Sequence, residues 1–375
     1  MALPDSFLNT SWSMQFIPTI KRRMHTLYAL LCASGPRDGV TRQLQSLSDD
    51  CYQYIQSRGR LEPRDELNDE SEKTGQLREC VISQIWPRSA ADRTVSESRC
   101  LGLAIETRYQ KATYRVILLA RRGLSSEESP LTAIFYKASQ NNLKHIKNWL
   151  DFKFTLPSAL PLQFPPELLP RLCSSYLTVL AEHFATGTDH TDALRQATLK
   201  QTVGNLRLTM AFSGATGPEI APKLKTLDLD LPSETTSLLL EKARERSTVR
   251  GTAQTAFLDE LSHAIADRTG LRLPFTSASS FEVGQLNRNS MAGTGAGRDH
   301  ENLITPTEPP LKVTKITCAA FAISIDGKLK FASKPIENAE VVGYREEVVQ
   351  LAYWELLDHV RGEAERRGIE HDGWQ

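Results

Sequence analysis

The chain has 375 residues, enough for a sizeable core and more readily two lobes than one. Its 45 Lys and Arg balance 45 Asp and Glu, so no global basic excess marks a nucleic-acid binder and any such surface must be a local patch. No apolar run approaches the roughly 20 residues needed to span a bilayer, the first residues lack the basic-then-apolar pattern of a signal peptide, and the six cysteines are scattered without a CxxC pair, which points away from zinc and dithiol redox chemistry.

Ser11–Pro18 alternates and predicts a short strand closed by Pro18, and Lys21–Leu47 predicts helix interrupted at Gly35-Pro36. Asp49–Glu79 is polar and charged, and is expected to form a mobile insertion or loose helix. Leu101–Thr107, Tyr114–Ala120 and Leu131–Lys137 are three consecutive strand candidates separated by turn-like segments, the pattern of an antiparallel meander. In Ser139–Leu150 the apolar residues Leu143, Ile146, Trp149 and Leu150 share one helix face, with Ser139 as the N-cap. Phe152–Leu156 is expected to return as a strand, and a proline-punctuated stretch leads into a helix around Leu168–Leu180.

A polar connector, Thr186–Ala197, divides the reading into an N-terminal lobe over residues 1–185 and a C-terminal lobe over 198–375. In the second lobe, Asn205–Phe212 and Leu224–Leu231 alternate as strands. Ser233 is expected to cap a helix running to about Arg246, and Gly251–Arg268 to form another. Leu271–Phe275 is a weaker strand candidate. Residues 276–310 are rich in Ser, Gly, Asn, Thr and Pro and predict a disordered linker. Lys312–Phe331 is the longest β-favouring run, and its Asp326-Gly327 pair predicts a two-residue hairpin turn with both central residues at positive φ. A long helix over Val341–Arg367 closes the chain. Strands followed by helices in each half indicate an α+β fold: two lobes with mainly antiparallel sheets flanked by helices.

No pattern supplies a catalytic centre, a cofactor loop or a metal site. The glycines at 293, 295 and 297 sit in the linker without the strand and helix that a dinucleotide loop requires, and Ser213–Lys223 has the wrong spacing for a P-loop. His263, flanked by Asp259 and Asp267 on one helix face, is the one arrangement that could orient a general base. Carboxylates beside a histidine are commoner as surface charge. Arg121, Arg122, Lys137, Lys144 and Lys147 come from two neighbouring strands and the next helix, and could converge as a DNA-contact patch. Lys328, Lys330 and Lys334 stand on the second arm of the terminal hairpin, where they either form a basic surface or blunt a sheet edge.

Four stretches carry a family resemblance: Leu8–Trp12; Thr113–Phe154 with its internal Trp149-Leu150; Leu206–Pro232; and the Lys312–Phe331 hairpin with the helix after it. In their order and spacing the chain resembles the CENP-L family of inner-kinetochore proteins, in its fungal form. The resemblance implies a saddle-like α+β scaffold without enzymatic activity or cofactor, in the nucleus at the centromere and kinetochore. Its implied partners are a CENP-N-like protein, other inner-kinetochore subunits, and centromeric DNA or nucleosomes, and self-association of the isolated protein stays open. The partner surface it implies is the hairpin, with Ile323, Ile325, Lys328, Leu329, Lys330 and Phe331 presenting an edge for β-augmentation. Which arm is that edge is left open, the lysine-bearing arm being preferred. Two other readings stand beside it: a generic heteromeric interaction module without DNA contact, and an α+β enzyme centred on His263.

Overall fold

The computed structural model describes residues 7–18, 25–32, 38–58, 73–86, 100–122, 130–186, 200, 202–212, 226–250, 253–269, 311–332 and 342–372. The chain divides into two compact units, Met1–Phe164 with Ala320–Gln375, and Pro165–Ala319. The end of the chain therefore folds with its beginning. The sequence reading had placed these terminal elements with the residues from 198 onward.

The first unit contains strands β1 (Ser11–Phe16), β2 (Leu77–Ile85), β3 (Gly102–Tyr109), β4 (Thr113–Ala120), β5 (Leu131–Lys137), β6 (Leu160–Pro161), β10 (Phe321–Ser324) and β11 (Lys328–Phe331). Its helices are α1 (His25–Cys32), α2 (Asp38–Arg58), α3 (Gln140–Phe154) and α7 (Val342–Asp372). The strands run in the order β2-β3-β4-β5-β1-β11-β10, every neighbouring pair antiparallel. One flank of β1 is shared: Ser11–Ser13 pair with β11, and Gln15–Phe16 pair with β6.

Period-two alternation puts a different apolar set on each face of this sheet. On one face Ile82, Ile105, Val116, Leu118 and Ile134 are buried in a cluster with Leu27 and Leu30 of α1, Leu47, Cys51 and Ile55 of α2, and Leu143, Ile146 and Trp149 of α3. On the other face Trp12 stands opposite Leu329 and Met14 opposite Phe135. Phe331 meets Tyr353 of α7 there, with ring centroids 4.9 Å apart. The Tyr353 hydroxyl lies 2.9 Å from the Ala320 carbonyl oxygen and 3.1 Å from that of Ala332, tying α7 to both strands at the open end of the β10–β11 hairpin.

The second unit has strands β7 (Leu206–Phe212), β8 (Thr226–Leu231) and β9 (Leu311–Thr317), and helices α4 (Leu168–Thr186), α5 (Ser233–Arg250) and α6 (Ala253–Thr269). Its strands are antiparallel in the order β9-β7-β8. Leu206, Leu208, Met210, Leu231, Val313 and Ile316 are buried, while Arg207, Asp228, Asp230 and Lys315 at the alternate positions are exposed. The α+β class with mainly antiparallel pairing agrees with the sequence expectation.

Several local expectations are corrected. Asp49–Arg58 belongs to α2, because Leu47, Cys51 and Ile55 form an apolar stripe at helical spacing that the surrounding polar residues hide. The same segment's other end enters β2, a strand masked in the sequence by Arg78, Glu79, Ser83 and Gln84, and residues 59–72 lie outside the described residues. Phe152–Phe154 continue α3, which ends at Thr155 in a left-handed conformation (φ 53°) whose N–H donates to Asp151 O. Ser233 is the first helical residue of α5 rather than its cap; Thr236 N–H donates to Pro232 O at 3.0 Å. Leu271–Phe275 and the 276–310 linker lie outside the described residues.

The largest correction concerns Lys312–Phe331. It is not one hairpin. Its first part is β9, in the second unit, and only Phe321–Phe331 form a hairpin. Ser324 pairs with Lys328, so the loop has three residues, Ile325, Asp326 and Gly327, and Gly327 alone has positive φ, at 69°. This is the arrangement in which a turn is followed by a left-handed glycine.

Candidate functional site

The hairpin proposed as a partner surface lies inside the first unit's sheet. β11 is hydrogen-bonded on both flanks, to β10 and to β1, so the lysine-bearing arm is an interior strand and offers no free backbone edge. Ile323, Leu329 and Phe331 are buried on the α7 side, and Ile325 is half-buried. The hairpin tip is enclosed as well: Met14 N–H donates to Gly327 O at 2.9 Å and Phe164 N–H to Ile325 O at 2.9 Å. Lys328 and Lys330 are exposed, opposite Ser13 and Ser11 of β1. They stand on the sheet face away from α7 and guard no edge. Lys334 lies outside the described residues.

The five basic residues expected to converge on DNA are dispersed. Arg121 is buried, with 9% exposure. Arg122 is exposed but engaged by α7: its Nη2 is 2.9 Å from Asp358 Oδ2, and its backbone N–H donates to Glu365 Oε1 at 2.8 Å. Lys137 is exposed at the end of β5, directly across from Arg115. Lys144 is exposed on α3. Lys147, one turn further along that helix, is half-buried and turns inward, donating to Gln15 Oε1 at 3.3 Å and Ala159 O at 3.1 Å. Burial holds its ammonium below the usual lysine range.

Arg115 is itself occupied. Its Nε and that of Arg108 each lie 2.6 Å from an oxygen of Glu106, and Arg108 Nη1 is 2.6 Å from Glu79. Burial opposes ionisation of Glu106, but hydrogen bonds from the two arginines and their charges outweigh it, and the carboxyl is held below its ordinary range. The outer ends of β2, β3 and β4 therefore carry a neutralised ion-pair row rather than a basic groove.

β2 of the first unit and β8 of the second, each at one end of its strand order, differ. β2 is sheltered by α2: the Ile82 N–H, which points away from β3, donates to the Ser48 hydroxyl at 2.9 Å. β8 pairs only with β7 among the described residues. It carries neither Lys nor Pro, and Leu227 and Leu229 on its inward face are only half-buried, in line with the buried Leu231. The strict alternation of this strand is visible in the sequence; its position at the sheet margin is not.

The family model for Centromere protein L matches residues 42–365, nearly the whole chain. The chain belongs to the CENP-L family. It is thus a kinetochore protein of the centromere, from a structural family rather than an enzyme family. No curated protein matches the sequence. The CENP-L match opens within α2 and closes within α7, so it takes in both units. In this CENP-L chain His263 and Asp267 are exposed on α6, whose buried side is Phe257, Leu258, Leu261 and Ile265. Among the described residues no group of three His, Cys, Asp or Glu could hold a metal ion, and no helix is long and apolar enough to cross a membrane. The glycines of the 293–297 stretch and Ser213–Lys223 lie outside the described residues.

Proposed function

We propose that this chain is a non-enzymatic scaffold subunit that pairs with a CENP-N-like protein in the inner kinetochore, and that the pairing strand adds to β8. The observation that carries this reading is that β8, among the described residues, pairs on one flank only and carries two half-buried leucines. An added strand would satisfy the free backbone groups and complete the burial of Leu227 and Leu229. The β10–β11 hairpin is a poorer candidate, since both flanks of β11 are paired. The same β8 flank would serve a second copy when the partner is missing.

The test is complex formation on size exclusion with a CENP-N-like partner. A heterodimer is expected at micromolar concentration, and Leu227→Lys with Leu229→Lys should weaken it by about tenfold or more, with circular dichroism of the free variant showing that it stays folded. If the wild type forms no complex, the pairing is wrong; if the double variant binds normally, the edge is wrong.

Direct contact with centromeric DNA is a second reading, favoured by Lys328 and Lys330 side by side on an exposed sheet face, with Lys137 and Lys144 also exposed. Charge reversal at Lys328 and Lys330 should lower DNA affinity and flatten its salt dependence by roughly one to two counterions. An unchanged slope removes these two lysines from the footprint.

A further inference from the structure

The inward turn of Lys147 opens onto a cleft in the first unit, between α3 and the segment 155–159. Its volume is about 360 Å³, within the span of ligand clefts. Ile17, Ile134, Leu150 and Leu156 form an apolar floor, each almost wholly removed from solvent. Lys147 is set into this floor. An ammonium has three hydrogens to donate, and Gln15 and Ala159 take two of them. Both acceptors are neutral, and Lys147 forms no ion pair with any described residue. A half-buried cation without a counter-ion among the described residues, beside apolar side chains, suits an anionic group attached to something apolar.

We propose that this cleft docks a short acidic segment of a partner protein: an apolar side chain enters the floor, and the neighbouring glutamate or aspartate takes the third hydrogen of Lys147. The rim favours a peptide over a nucleic-acid backbone. Asp151 is exposed at the cleft, one turn beyond Lys147, and its carboxylate would repel a polyanion while tolerating a single acid flanked by neutral residues. This inference is independent of the β8 pairing, because β8 lies in the other unit.

The experiment is a methyl NMR titration of the full chain, labelled at isoleucine, with the blocked dipeptide acetyl-Glu-Phe-amide up to about 10 mM. The Ile17 and Ile134 methyl signals should shift saturably, and acetyl-Gln-Phe-amide should bind about fivefold more weakly. Lys147→Met, which keeps the apolar stem, should abolish that preference. Equal affinity for the two dipeptides, or no saturable shift at either isoleucine, overturns the proposal. So does an equal response to inorganic phosphate alone, which would mark a bare anion site, or a response to an oligonucleotide in place of the peptide. The two dipeptides are compared on the wild-type chain, so the test does not depend on how the variant folds.

Discussion

Gly327 shows how much can rest on one backbone position. Its φ of 69° suits glycine, and a Cβ there would lie 2.0 Å from the Leu162 carbonyl oxygen. The clash would fall where β1, the hairpin tip and the 162–164 segment meet through the Met14, Gly327, Leu162 and Phe164 hydrogen bonds. Gly327→Ala should therefore cost roughly 3 kcal/mol, read as a lower urea midpoint without a change in slope. Glu106 makes a smaller, pH-dependent contribution. Its carboxyl titrates lower in the folded protein than in the unfolded chain, so its stabilisation is present above the unfolded value near 4.3 and fades as pH falls through the folded one. Glu106→Gln should narrow the stability difference between about pH 6 and pH 3 by less than about 1 kcal/mol, because the arginine partners are partly solvated. Urea unfolding at the two pH values checks it.

At the scale of elements, local sequence was a good guide wherever one residue controls a terminus. Ser139 caps α3 as its position suggests, accepting from Asn142 N–H at 3.2 Å. Ser139→Ala should destabilise the chain by about 1 kcal/mol, measured by thermal or urea unfolding, and Ser139→Asp should restore most of that loss. The strand candidates that became β3, β4 and β5 were also legible, because Val116–Ala120 is an unbroken apolar run and Leu131–Phe135 is interrupted only by Thr132. α2 and β2 were not. Each buries only a sparse stripe among charged residues, and composition averages that stripe away. The apolar floor of the Lys147 cleft was equally hidden. Ile17, Ile134, Leu150 and Leu156 each read as ordinary core positions, and only their convergence around a lysine makes a site.

For the whole molecule, the decisive fact is that residues 320–375 complete the unit begun by residues 1–164. Removing everything after Ala319 would strip β11 from β1 and α7 from Arg122. Hydrogen exchange on that truncated chain should show amide protection lost across β4 and β5 but kept across β7, whose two paired neighbours β8 and β9 remain. Protection retained in β4 and β5 would show that the first unit stands without its C-terminal elements.

Reading residues alone reached the α+β class, the antiparallel preference, most helices, and enough ordered motifs to point to the CENP-L family. All of these depend on short-range periodicity or on motif order along the chain. It could not reach the neighbours of each strand. The alternation in Lys328–Phe331 says that Leu329 and Phe331 face the core and the lysines face away, and both statements hold. It is silent on what lies alongside. Ser11 pairs with Lys330 across more than three hundred residues of chain, and such pairing is set by which surfaces can be buried together, a property of the assembled sheet rather than of any segment. Tertiary structure alone therefore placed β11 in the interior, left β8 at a margin, used Arg122 to hold α7, and turned Lys147 from an expected phosphate contact into the charged wall of a cleft.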